Sequence, residues 1–235
     1  MDRDDPAYRG QSEYTRSFLR VYDAVIVGFF LKFVWRCRAS RLVELYRQHI
    51  RDRHLDVGPG TGYFIERSGL PNGSQVTILD PNQNVLDYAT RRLPRLEVTA
   101  VQADVLKPLP VDGLFNSAAL HGVIHCLPGP LARKAAAVTN VAAVLAPDGV
   151  LFGMSILGSS GPQSWLSRRM LATLNRRGTF DNLTDTEEWR KEILAASFEQ
   201  VELETVGSVA IFIATNPRRA GPHISPSPSL GTRPA

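Results

Sequence analysis

The chain has 235 residues, 43% of them apolar and 21% charged, the balance of a globular α/β protein long enough to cover a sheet on both faces. Its net charge of +4 does not point to nucleic acid, because Arg218, Arg219 and Arg233 supply three of those charges from a final stretch without acids. Cys37 and Cys126 are too few and too far apart for a zinc site or a disulfide framework. No signal-peptide pattern opens the polar N-terminus, so the cytoplasm is the default compartment.

Residues 1–53 read as an N-terminal helical lid segment with helices over 11–36 and 40–50. The longest apolar run, residues 24–31, stops at Lys32, well short of the about 20 residues that a membrane span requires. Its aromatics suit a lid over a buried ligand, with a homodimer face as the other reading. Tyr14, Phe18 and Tyr22 recur four apart, a stripe able to roof a ligand or to pack beneath its own helix.

From residue 54 to 216 strand and helix patterns alternate, which predicts a doubly wound, Rossmann-like seven-stranded sheet, mostly parallel. Strand one covers 54–57 and strand two 76–79, ahead of Asp80. Strand three covers 96–103, ahead of Asp104; strand four covers 114–120, and strand five centres on 150–152. A cleft then lies at the strands' carboxyl ends. Val85, Leu86, Ala89 and Leu93 mark a helix with Asn82 as its N-cap. The segment 155–198 is polar and helical, placed to build a substrate pocket, and Thr184 with Glu187 predicts a capping box for its last helix. Runs over 200–206 and 209–215, joined by Gly207 and Ser208, predict a closing antiparallel hairpin. The tail 217–235 has no periodicity and reads as disordered.

Residues 54–62 read HLDVGPGTG, an apolar strand that carries an acid and ends in glycines at alternate positions. Glycines at a strand-to-helix turn accept positive φ and let a ligand approach the backbone, while the following helix aims free N–H groups at it. A nucleotide-like cofactor belongs here. The dinucleotide pattern G-x-G-x-x-G would need glycine at 63, where the chain has Tyr63. The acid-x-Gly-x-Gly-x-Gly spacing instead resembles the first motif of class I S-adenosylmethionine-dependent methyltransferases.

The resemblance implies S-adenosylmethionine at Gly58, Gly60 and Gly62, with Asp56 facing the methionine ammonium through water. Asp80 falls 22 positions after Gly58, where a carboxylate can accept hydrogen bonds from both ribose hydroxyls. The resemblance places Asp104 at the adenine amino group and sets Pro81 and Val105 beside these acids. Residues 145–150 (LAPDGV) and 120–129 (LHGVIHCLPG) look like the family's turn into strand five and its segment after strand four. Over residues 14–215 the chain looks most like small stand-alone microbial methyltransferases of secondary metabolism. Asn116 stands where that pattern more often has Asp.

Methyl transfer needs an acceptor about 3 Å from the methyl group in a pocket that excludes water. His121, first after strand four, is the candidate catalytic base for a hydroxyl; its rate would fall as pH drops through about 6.5. His125 follows as a pocket or structural histidine. Arg176 and Arg177, with Arg168 and Arg169, offer cations to a carboxylate acceptor or form a solvated helix surface. Tyr14 and Tyr22 complete the substrate side. No Asn-Pro-Pro-Tyr, Asp-Pro-Pro-Tyr or Pro-Cys element marks a nucleic-acid methylase, and no acid cluster marks a magnesium site. The reading is O-methylation of a small-molecule metabolite, a carboxylate first and a hydroxyl second. Transfer to nitrogen or carbon, and a non-catalytic binding subunit, are the alternatives; Tyr63 disfavours an oxidoreductase.

Overall fold

All four residues of β1 (His54–Val57) are buried, and the strand pairs in parallel with β2 (Gln75–Leu79) on one side and β4 (Phe115–His121) on the other. In the computed structural model, which describes residues 19, 21–159 and 161–219, seven strands follow the order 3-2-1-4-5-7-6. The edge strand β3 (Glu97–Val101) and the inner β5 (Leu145–Ile156) extend the parallel set, while β7 (Val209–Pro217) runs antiparallel to both β5 and β6 (Phe198–Val206). The order reverses between β1 and β4, so a cleft opens there at the strands' carboxyl ends.

Alternation along β1 sends Leu55 and Val57 to one face and His54 and Asp56 to the other. On the first face, α4 (Leu131–Ala143) and α6 (Glu187–Ser197) pack Val138, Val141 and Leu194 against Leu55, Leu151 and Phe212. The opposite face is covered by α1 (Ala39–His49), α2 (Tyr63–Glu66), α3 (Gln83–Arg92) and α5 (Trp165–Arg177), through Tyr46, Ile65, Leu86 and Leu171. Gly153 sits mid-sheet because a Cβ there would lie 2.2 Å from the Leu120 carbonyl oxygen. Asn82 caps α3 as predicted, its side chain accepting the Asn84 N–H, a contact typically worth about 1 kcal/mol.

The predicted first helix takes a wider form. Asp23–Val34 is a π-helix, with the Trp35 N–H bonded five residues back to the Phe30 carbonyl. Val27, Leu31 and Val34 are buried beneath it, whereas Phe29 and Phe33 on its outer side are 52% and 53% exposed. Residues 11–18, including Tyr14 and Phe18, lie outside the described residues.

Strand boundaries shift where pairing partners decide them. β3 ends at Val101, opposite the last residue of β2, so Asp104 stands three residues beyond the strand rather than closing it. β5 extends to Ile156 because β7 pairs with it from Val150 onward. The predicted capping box does not start α6, which begins at Glu187; that carboxylate accepts a hydrogen bond from Thr205 instead.

The tail boundary also moves. Pro217 pairs with Phe198, the Arg218 N–H donates to the Ser197 carbonyl at 2.8 Å, and Arg219 donates to the Leu145 carbonyl. Truncation after Arg219 is expected to leave the Tm within a degree or two, since nothing apolar and periodic is removed. Truncation at Pro217 deletes these bonds and should lower Tm by roughly 3–6 °C, at about 1 kcal/mol per bond. Calorimetry of the two shortened chains distinguishes these outcomes.

Candidate active site

At the switch point the strand ends enclose a cavity of about 480 Å³, roofed by the π-helix and α5. On the side of β1 and β2 it is lined by Gly58, Gly60, Asp80, Pro81, Asp104 and Val105, and on the side of β4 and β5 by His121, His125, Met154 and Ile156. Phe30 and Trp35 of the lid region, Leu174 of α5 and Phe180 complete an apolar wall. Tyr22 reaches down to the glycine turn, its ring 3.8 Å from where a Cβ of Gly60 would stand.

The three glycines differ in role. All have positive φ, +69° at Gly58, +57° at Gly60 and +76° at Gly62, so all three turn positions favour glycine on backbone grounds. Gly58 and Gly60 line the cavity. Gly62 does not; it caps α2 in the left-handed region and lies against Ala89 of α3, where it permits close packing.

Asp80 is buried, and one carboxylate oxygen accepts the Asn82 N–H at 2.7 Å. Burial pushes its carboxyl up to about 7, against the smaller lowering effect of the Asn82 N–H. Asp104 also lines the cavity and accepts the Leu106 N–H. Asp56 lies off the cavity wall. Its Oδ2 accepts the Tyr46 hydroxyl at 2.9 Å and stands 3.5 Å from His54 Nε2, while its Oδ1 is buried without a partner.

His121 projects from the end of β4 against the Phe64 ring, at 4.3 Å between centroids, and meets Tyr46 edge-on. Both ring nitrogens are covered and have no hydrogen-bond partner among the described residues. Desolvation lowers its pKa to about 3, so the ring is neutral. His125 follows in a short 3-10 turn, Ile124–Cys126, and its Nδ1 accepts the Ile156 N–H at 3.2 Å. Of the two arginines, Arg177 lines the cavity from an exposed position and Arg176 does not.

The lid is tied to the glycine turn by charge. Thr61 Oγ1 donates to Asp23 Oδ1 at 2.5 Å, Arg92 reaches the other Asp23 oxygen at 2.5 Å, and Glu66 holds Arg92 at 2.9 Å. Asp23→Ala frees the lid's first turn and is expected to raise KM for the cofactor about threefold to tenfold with kcat nearly unchanged. An unchanged KM would mean that apolar packing alone holds the lid.

Among the described residues, the charged ones lining the cavity are two acids, Asp80 and Asp104, and one exposed cation, Arg177. That distribution suits a cofactor with diol, amine and cationic groups and offers no cluster of cations for a pyrophosphate. The glycine cradle, the buried Asp80 carboxyl and the orphaned Asp56 oxygen fit S-adenosylmethionine.

Comparison with known proteins decides the family. Residues 55–153 match the model of a methyltransferase domain, and the chain is 34% identical over 213 residues to demethylluteothin O-methyltransferase from Streptomyces thioluteus, spanning 90% of this chain and 93% of that one. The chain belongs to the S-adenosylmethionine-dependent methyltransferases. A second relative of this methyltransferase is the physcion biosynthesis cluster O-methyltransferase of Aspergillus chevalieri, 32% identical over 221 residues, or 93% of this chain and all of the other. The fold is shared with N-methyltransferase NodS from Bradyrhizobium japonicum WM9, solved with S-adenosyl-L-homocysteine. The TM-score is 0.60 at 17% identity, over 88% of this chain and 100% of that one.

Of the residues expected from the sequence to hold the cofactor, Gly58, Gly60, Asp80, Pro81, Asp104 and Val105 line the cavity, whereas Asp56 and Gly62 do not. Sequence reasoning placed Phe30 in a lid but missed Trp35, Met154, Leu174 and Phe180, which carry no pattern apart from core residues. It also missed Asp23, a lone acid at the head of an apolar run, which is the one signal that could have shown the latch.

Proposed function

We propose that this methyltransferase transfers a methyl group to a hydroxyl oxygen of a hydrophobic small-molecule metabolite. The observation that carries the reading is His121, a neutral histidine at the wall of an apolar cavity whose two buried nitrogens have no hydrogen-bond partner among the described residues. When bound, S-adenosylmethionine supplies an electrophilic methyl group on a sulfonium. Gly58 and Gly60 admit it to the backbone, Asp80 accepts its ribose hydroxyls, Asp104 takes the adenine amino group, and Asp56 reaches its ammonium through water bound at Oδ1.

With the ring turned to uncover one nitrogen, His121 would accept the hydrogen bond of the acceptor hydroxyl and take its proton as the oxygen gains the methyl group, the S–CH3 bond breaking to leave the neutral thioether. A strong base is not needed, because an oxygen that is methylated while still protonated is far more acidic than the free hydroxyl. The apolar wall of Phe30, Trp35, Leu174 and Phe180 positions the acceptor and excludes water. A carboxylate acceptor is disfavoured by the same wall. An anion there would be desolvated with only Arg177 at the rim to pair with it.

A labelled-methyl transfer assay across aryl hydroxyls, aryl carboxylates and aryl amines of one size tests the reading. Product from hydroxyls alone is the expected result. Transfer to carboxylates that is lost in Arg177→Ala through a raised KM would reject it in favour of ester formation, and transfer to amines would place the acceptor atom at nitrogen. The same reading extends to assembly: the exposed Phe29 and Phe33 are the face through which two copies would pair. Sedimentation of the Phe29→Ser, Phe33→Ser double variant as a monomer, against a dimeric wild type, is the expected outcome.

A further inference from the structure

Hydroxyl transfer assigns a partner to His121 and leaves the second cavity histidine without a role. His125 is held on three sides. Its Nδ1 accepts the Ile156 N–H at 3.2 Å, its ring meets Phe180 edge-on with centroids 4.4 Å apart, and its backbone carbonyl accepts the Asp181 N–H at 3.0 Å. A ring nitrogen that accepts a backbone N–H carries no proton, so in a neutral ring the proton is on the other nitrogen. The ring is kept neutral by desolvation and by the neighbouring cations Arg190 and Lys134, which hold its pKa well below the ordinary range. His125 is therefore fixed as the Nε2–H tautomer, a donor and not an acceptor, and it lines the cavity four residues beyond His121.

We propose that His125 Nε2–H is a specificity-determining donor that binds a second, hydrogen-bond-accepting oxygen of the acceptor, a carbonyl or ring oxygen apart from the hydroxyl that is methylated. The inference rests on hydroxyl transfer as the reaction and narrows its substrate class to oxygenated aromatic or enolic hydroxyls. The two histidines divide the work. His121 has a lone pair for a hydroxyl, whereas His125 offers only a proton, and a buried donor left unpaired by a plain hydrocarbon acceptor lowers its affinity. The wall around both is apolar, so this donor has few competitors for an acceptor oxygen.

The test uses the full-length protein saturated with S-adenosylhomocysteine and two bicyclic hydroxyls of matched size, 7-hydroxycoumarin with its lactone oxygens and 2-naphthol without them. Calorimetry is expected to show that His125→Phe weakens 7-hydroxycoumarin about tenfold relative to any change for 2-naphthol. His125→Gln, whose amide can accept from Ile156 and donate to the ligand, should keep most of the preference and guards against a variant that merely misfolds. Long-range proton–nitrogen spectra of the wild type should show Nε2 protonated and Nδ1 bare at pH 7, with no ligand required. A protonated Nδ1, or the same ratio of affinities in wild type and His125→Phe, overturns the proposal. If the preference and tautomer hold while neither hydroxyl is methylated, His125 stands as the donor and the hydroxyl-transfer reading is what fails.

Discussion

Replacing His121 by alanine is expected to lower kcat about a hundredfold while leaving the KM for S-adenosylmethionine within twofold. The ring lines the cavity at the end of β4, and its two buried nitrogens have no hydrogen-bond partner among the described residues. Removing it takes away the proton acceptor without touching the glycine turn or Asp80. The pH dependence separates this role from that of an ordinary histidine base, for which the sequence alone predicts a loss of rate below about 6.5. Burial moves that titration to about 3, so the ring stays neutral and competent throughout the working range. The wild-type rate should show no inflection from His121 between pH 8 and pH 5. Steady-state kinetics of wild type, His121→Ala and His121→Gln over that range are the check. An inflection near 6.5 that vanishes in the variants would show that the ring is hydrated in the working enzyme, and an unchanged kcat would remove it from the proton path.

The difference between what could and could not be read from the chain follows from how each part is specified. Glycines at 58, 60 and 62 and the acid at 80 directly follow strand ends, which are legible from alternation and turn residues, whereas Asp104 lies three residues past the end of β3. Hence the succession of strands along the chain and the hairpin at Gly207 were open to inference, though not the order in which the strands lie in the sheet. Gly62 shows the limit. Its spacing is that of a ligand-contacting glycine, yet it faces Ala89 rather than the cavity, and what favours glycine there is its positive φ of +76°. The apolar wall of the cavity is built from Phe30, Met154, Leu174 and Phe180, whose spacing is indistinguishable from that of core residues because they also pack against the core. The π-helix was hidden for a related reason. Apolar residues recurring about every four positions satisfy a helix of either winding, and only the bonds to residues five back decide which forms. The arginine pairs were the weakest signal, with exposed side chains and only Arg177 turned to the cavity.

Asp80→Asn is expected to weaken S-adenosylhomocysteine at least tenfold at pH 8, and to abolish a pH dependence that the wild type should display. In the free protein the Asp80 carboxyl is buried with the Asn82 N–H as its hydrogen-bond donor, which places its titration at about 7 against about 3.9 in an unfolded chain. Because the folded value is raised, the group binds a proton on folding between those limits. Its contribution to stability is full below about 4 and is lost as pH rises through 7. Ligand binding runs the other way. Two ribose hydroxyls donating to the carboxylate favour the ionised form, so binding releases the proton and affinity climbs with pH until Asp80 is ionised in the free protein. Between pH 5.5 and pH 8 the wild-type affinity should rise about thirtyfold, roughly tenfold per unit below 7 and flat above it. Asparagine has no such proton to release, and its affinity should be level across the same range. Calorimetry in buffers of different ionisation enthalpy measures both the affinity and the released proton. A level wild-type curve, or a variant that follows the wild type, would take Asp80 away from the ribose and leave its burial as a structural matter alone.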